Sequence, residues 1–172
     1  MKPKQKTSSL RDKIEIATNI VILLAVLLLG GSYLKARFGH HDQGLVVGSK
    51  IDPPKGYNWH EHGQTLVVAV RKGCGFCERS YPFYRQLEGL ENDNHLKAHI
   101  LMVLPDDPFS GAALLSAQGI KSQSITNMPL SSINVPGTPT LLLVDASGRL
   151  LQRWVGELDA STAGAVLAQL RR

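Results

Sequence analysis

Cysteine is nearly absent from this 172-residue chain: Cys74 and Cys77 are the only two, and no second Cys-X-X-Cys exists. A structural zinc site takes four ligands, usually two such knuckles or one knuckle with two well-spaced histidines. The histidines at His40, His41, His60, His62, His95 and His99 fall in expected loops or strand edges. They make zinc a poor reading, and His60 and His62 are expected in a solvated loop. A permanent structural disulfide is poorer still, because closing so small a loop constrains the unfolded chain little. Aromatic residues are sparse at 6%, and nowhere do they interleave with a basic patch, which argues against nucleic acid as a partner. No internal repeat is visible.

Acidic and basic residues are both missing from Ile16 to Leu34, a stretch whose only polar side chains are Thr18, Asn19 and Ser32. It has about the length needed to cross a bilayer. A cleavable signal peptide shares the basic start and apolar core. However, Ser32-Tyr33-Leu34-Lys35-Ala36-Arg37 offers no clean small-X-small cleavage site, and no lipobox cysteine is present, so an uncleaved anchor is favoured. Lys2, Lys4, Lys6, Arg11 and Lys13 precede the span against Asp12 and Glu15, which places the N-terminus in the cytoplasm, although Lys35 and Arg37 oppose this. The N-terminal lysines suit anionic lipid headgroups. The expected organisation is a cytoplasmic basic tail over 1–15, a transmembrane signal-anchor helix over 16–34, a linker and entry segment over 35–63, and one compact domain over 64–172.

The two cysteines follow an apolar run, Leu66-Val67-Val68-Ala69-Val70. Their spacing lets the sulfurs meet across the first turn of a helix, so the pair can open and close as a disulfide without refolding the domain. Thiol–disulfide exchange is the chemistry this implies. It fits an extracytoplasmic domain, where a dithiol pair persists oxidised or is cycled by dedicated partners.

Beyond the cysteines the chain alternates strand and helix. Leu66–Val70 reads as a buried strand, and Phe76, Tyr81, Tyr84, Leu87 and Leu90 mark the apolar face of the next helix, which contains Pro82. Further strands are expected over 99–104, 140–144 and 150–155, with helices over 109–118 and 160–170 and a hairpin turn at Asp145-Ala146-Ser147-Gly148. The closing helix is expected to have Ser161 or Thr162 near its cap. Such an order predicts an α/β fold, a central mixed β-sheet with helices on both faces. Trp59 and Trp154 read as core or rim residues.

Three features together resemble the thioredoxin superfamily: Cys74-Gly75-Phe76-Cys77 after a buried strand, Pro82 in the following helix, and Val135-Pro136-Gly137-Thr138-Pro139-Thr140 before a core strand. The long segment from Pro105 to Asn134 and the lead-in Val47-Gly48-Ser49-Lys50-Ile51-Asp52-Pro53 look closer to the membrane-anchored TlpA-like and ResA-like proteins. The resemblance implies a thioredoxin-like domain over 64–172 behind the anchor. It implies Cys74 as the attacking thiol, Cys77 as the resolving thiol, a cis peptide bond before Pro139, and a substrate-binding backbone at Thr138 and Pro139. Gly75 and Phe76 become candidates for tuning the redox potential. The cofactor expectation is none beyond the redox-active Cys74–Cys77 disulfide, and no metal.

The implied protein is a thiol–disulfide oxidoreductase on the bacterial inner membrane. Its clients would be extracytoplasmic cysteine-containing proteins such as apocytochrome c, and a membrane redox partner would recycle the dithiol. A copper chaperone of the Sco type is the binding-class rival, although that family spaces its cysteines by three residues. A peroxidase would need a Thr near the cysteine, where Val70-Arg71-Lys72-Gly73 stands, and a vestigial dithiol would not explain Thr138-Pro139. Two departures stand out: Gly73 replaces the usual Trp before the first cysteine, and Val68 replaces the acid usually buried beneath the second.

Overall fold

A computed structural model describes residues 13–26 and 45–171. The expected tail therefore lies largely outside the described residues, as do residues 27–34 of the expected span and residues 35–44 of the linker. Residues 13–26 form a helix, α1, whose side chains are all exposed, among them Ile16, Ile20, Val21, Leu23 and Leu24. Among the described residues no helix is long and apolar enough to cross a membrane.

Residues 43–172 form a separate compact unit. Its strands are β1 (Gln64–Ala69), β2 (Ala98–Leu104), β3 (Ile125–Asn127), β4 (Thr140–Asp145) and β5 (Leu150–Val155). Its helices are α2 (Gly75–Asn92), α3 (Pro108–Ala117) and α4 (Ala160–Leu170). The sheet order is β3-β2-β1-β4-β5. β1 runs parallel to β2 and β2 parallel to β3, while β1–β4 and β4–β5 are antiparallel. This is a mixed α/β sheet with the hydrophobic β1 at its centre, buried on both faces as a central strand must be.

The strand period of two sorts the side chains into two cores. Leu66, Val68 and Val70 join Ile100, Met102, Leu141 and Leu143 on one face, with Cys77, Tyr84 and Leu87 of α2, Leu115 of α3, and Val166 and Leu170 of α4. Val67, Ala69, Leu101, Val103, Leu142 and Val144 form the other, with Leu45, Ile51, Trp59 and Ile133. The expectation of helices on both faces is thereby corrected. All three α-helices of the unit send buried residues to the first face. The second is closed by the entry segment and by the short 3-10 turns Trp59–Glu61 and Leu130–Ile133. The entry segment is too rich in Pro and Gly to form an α-helix, yet its few apolar residues suffice to cover a sheet face. Trp59 is buried there and its indole N–H donates to the Ile51 carbonyl at 3.0 Å.

Three local features complete the fold. The segment from Pro105 to Asn134 contains, besides α3, the three-residue edge strand β3 and one 3-10 turn. Strand β3 is too short and too exposed to show an alternating pattern. Helix α4 is capped by Asp159, whose carboxylate accepts from the Thr162 N–H at 2.7 Å, so Ser161 and Thr162 lie near the cap, as expected. Asp is among the preferred acceptors at this position. Finally, α2 passes through Pro82 at an exposed position.

Candidate active site

Three chain segments meet at the carboxyl end of β1. The Val70 N–H still bonds to the Val103 carbonyl at 3.0 Å, and the chain then turns through Gly73, whose φ of +69° favours glycine. The loop is tied to the β2–α3 connection by the Lys72 N–H, which donates to Asp106 at 3.1 Å. Arg71 and Lys72 are both exposed, so their charges are solvated.

Cys74 is the N-cap of α2, and its sulfur accepts from the Cys77 N–H at 3.2 Å. The two cysteines are joined as a disulfide, with Cα atoms 5.2 Å apart. Cys77 is fully buried and Cys74 is 6% exposed. Any attack on the disulfide from solvent therefore meets Cys74 first. Val68 shares the apolar cluster of Cys77, Tyr81 and Tyr84, so the position beneath the second cysteine is hydrocarbon where an acid was the family expectation. Burial pushes the Tyr84 hydroxyl far above its usual range, and Tyr81 upward as well.

The second segment is the loop before β4. The Thr138–Pro139 peptide is cis, and the Thr138 carbonyl oxygen stands 3.3 Å from the Cys74 sulfur. The register holds the loop there: Thr140 pairs with Ala69 of β1, and its hydroxyl donates back to the Gly137 carbonyl at 2.8 Å. The third segment is the β5–α4 turn, where the Gly156 N–H donates to the Pro139 carbonyl at 2.8 Å.

Phe76, between the cysteines, is 57% exposed. The Arg79 guanidinium lies 4.6 Å from its ring centroid and bonds through Nε to Glu157 at 2.7 Å. Thus Cys74, Cys77, Thr138, Pro139, Gly75 and Phe76 are gathered in one place, and Arg79 and Glu157 join them. Those last two escape sequence reading, because 78 residues separate them and no local pattern links them.

Two of the described histidines, His62 and His99, meet elsewhere. His62 stacks on His99 with ring centroids 4.2 Å apart, and His99 contacts Glu91 and Ser124, each at 2.7 Å. His99 is opposite Thr65, at the start of β1, whereas the cysteines follow its end. The solvated-loop expectation holds for His60, which is exposed, but not for His62. Burial, and His99 after it, pull the His62 imidazole below its usual range. Among the described residues no group of three or more His, Cys, Asp or Glu is placed to hold a metal ion.

Solved structures share this architecture. A thiol:disulfide interchange protein from Bacteroides sp. superposes with a TM-score of 0.56 at 18% identity, over 74% of this chain and 92% of its own. A thiol-disulfide isomerase from Corynebacterium glutamicum gives 0.54 at 19%, over 73% and 92%. The thioredoxin domain of a thiol-disulfide oxidoreductase from Bacteroides vulgatus gives 0.55 at 19%, over 75% and 100%. The chain has the thioredoxin fold. No family model matches the sequence, and no curated protein does. Within the thioredoxin fold, the cysteine turn meets the cis-proline loop, and that loop is bonded to the β5–α4 turn.

Proposed function

We propose that the protein is a membrane-anchored thiol–disulfide oxidoreductase that exchanges disulfides with cysteine-containing client proteins outside the cytoplasm. The observation that carries this reading is the Cys74–Cys77 disulfide at the start of α2, with the more exposed sulfur facing the Thr138 carbonyl. In the reducing direction, the Cys74 thiolate attacks a client disulfide, forms a Cys74–client bond and releases one client thiolate. Cys77 then attacks Cys74, closes the internal disulfide and releases the second client thiol, and its own proton passes to solvent or the leaving sulfur. The client gains two electrons and the dithiol loses two. Run backwards, the same steps donate a disulfide.

The α2 N-terminus supports a thiolate at Cys74 through its macrodipole and through the Cys77 N–H already aimed at the sulfur. Thr138, beside the sulfur, offers backbone to an extended client. No cofactor is required, since the disulfide is itself the electron carrier. A membrane redox partner resets it.

The anchor reading rests on the uncharged run from Ile16 to Leu34 and on the basic residues before it. The exposed apolar surface of α1 supports it, because such a surface needs a lipid or protein environment. On this reading the thioredoxin-fold unit lies on the outer side of a bacterial inner membrane.

The test equilibrates the full-length chain, in mild detergent, with graded glutathione and dithiothreitol buffers and counts thiols by alkylation and mass shift. A single two-thiol transition is expected. A potential near that of thioredoxin, roughly −270 mV, marks a reductase fed through the membrane, and one near −120 mV marks a disulfide donor. Thiols that never exchange with either buffer would sink the reading.

A further inference from the structure

Beside the disulfide lies an open depression of about 400 Å³, walled by Phe76, Gly156, Glu157, Leu158 and Asp159. Resting on the exchange reading above, we infer that this depression is a client subsite that takes a lysine or arginine side chain near the reacting cysteine. Its position follows from the backbone: Gly156 is bonded to the Pro139 carbonyl, and Phe76 stands between the cysteines. A client strand lying along Thr138 passes its rim.

The lining chemistry selects the occupant. The residues that line the space include two acids, one phenylalanine and one leucine, and no lysine or arginine. Hydrogen bonds from Thr162 hold the Asp159 carboxyl below the usual range, so it is charged at neutral pH. Glu157 is matched by Arg79, which leaves the wall with about one net negative charge. The chain itself shows that a cation is stable here, because the Arg79 guanidinium already combines the Phe76 ring with the Glu157 carboxylate. An aliphatic stem suits Leu158, and a cationic head suits the carboxylates. Residues 43–172 carry twelve Lys and Arg against eleven Asp and Glu, so the domain as a whole gives no bulk attraction for cations. Preference for a basic client therefore has to come from this wall.

The test uses full-length reduced protein and cysteine peptides activated as mixed disulfides, identical except for lysine, leucine or glutamate beside the cysteine. Oxidised 2-mercaptoethanol serves as a small neutral disulfide that needs no subsite. The lysine peptide is expected to react about tenfold faster than the glutamate peptide at low salt, with the ratio shrinking as salt rises. Glu157→Gln with Asp159→Asn should bring the lysine-to-glutamate ratio close to one when each peptide rate is divided by the same variant's own rate with the small disulfide, and asparagine still caps α4. Phe76→Ala should slow the lysine peptide about threefold. Equal peptide rates alongside a normal small-disulfide rate overturn the subsite alone. Failure of the small disulfide as well overturns the exchange reading and the subsite with it.

Discussion

The Cys74 sulfur stands 3.3 Å from the carbonyl oxygen of Thr138, a residue 64 positions later in the chain. The same sulfur receives the Cys77 N–H at 3.2 Å. One neighbour is an acceptor and the other a donor. In the disulfide neither opposes the other. Once the bond is reduced, the carbonyl favours a thiol that can donate to it, while the amide and the helix dipole favour the thiolate. The contact thus sets two backbone groups, one acceptor and one donor, against the Cys74 sulfur. The buried neighbour Val68 contributes no charge.

The unequal exposure of the two sulfurs predicts unequal mutants. Cys74→Ser removes the accessible nucleophile, and exchange with a peptide disulfide should fall about a thousandfold or more. Cys77→Ser leaves the nucleophile and removes the resolving thiol, so a mixed disulfide should accumulate and be visible as a mass adduct on Cys74. The opposite pattern, with adducts on Cys77 in the Cys74→Ser protein, would reverse the assigned roles.

Thr138 separates backbone from side chain. Its carbonyl faces Cys74, whereas its hydroxyl is buried without a hydrogen-bond partner. Thr138→Val keeps the carbonyl and removes the unpaired polar atom. Stability should be unchanged or rise by up to about 1 kcal/mol. Peptide exchange should persist, because the proposed client contact is made by the backbone. A large loss of exchange with intact stability would assign the role to the hydroxyl instead.

The parts of this fold legible in the sequence are those with a local signature. The run from Leu66 to Val70 announces a buried strand, Cys74 and Cys77 fix the start of the next helix, and Gly148 fixes a hairpin. What stayed hidden is non-local. Strand β3 has only three residues and gains its identity by pairing with Met102–Leu104. The sheet face under Trp59 is closed by a segment whose prolines and glycines read as linker. Arg79 and Glu157 carry no motif at all, and only the packing of α2 against the β5–α4 turn brings them together. Pairings of this kind depend on tertiary geometry, which periodicity does not encode.

Two glycines test how far local geometry sets stability. Gly148 has φ +83°, and a Cβ there would lie 2.9 Å from the Ile51 carbonyl oxygen and 3.0 Å from Trp59 Cδ1. Gly148→Ala combines left-handed strain with a backbone clash and should cost about 2–4 kcal/mol. Gly89 lies inside α2, with nothing within 4 Å of an added Cβ. Gly89→Ala should stabilise by about 0.5–1 kcal/mol. Urea unfolding followed by far-UV circular dichroism measures both, and the argument requires shifts of opposite sign.

Glu88 makes stability depend on pH in an uncommon direction. It is buried in α2, one carboxylate oxygen accepts from the Lys121 N–H at 2.8 Å, and the other has no partner. Burial raises its pKa above the usual carboxylate value, the Lys121 N–H opposes the rise, and Glu91 adds to it. The folded state therefore holds this proton more tightly than the unfolded chain does. Its contribution is most favourable at low pH and declines as pH climbs from the unfolded value through the folded one. Asp107, Asp145 and Asp159, held low by hydrogen bonds from neighbouring residues, act in the opposite sense and lose their contribution as pH falls below about 4. The comparison is thus made between variants at each pH. Glu88→Gln keeps an acceptor for Lys121 and removes the buried charge. Its unfolding midpoint in urea should exceed that of the parent at pH 8, with the difference closing near pH 4. A difference that is constant from pH 4 to pH 8 would show that Glu88 titrates alike in the folded and unfolded states.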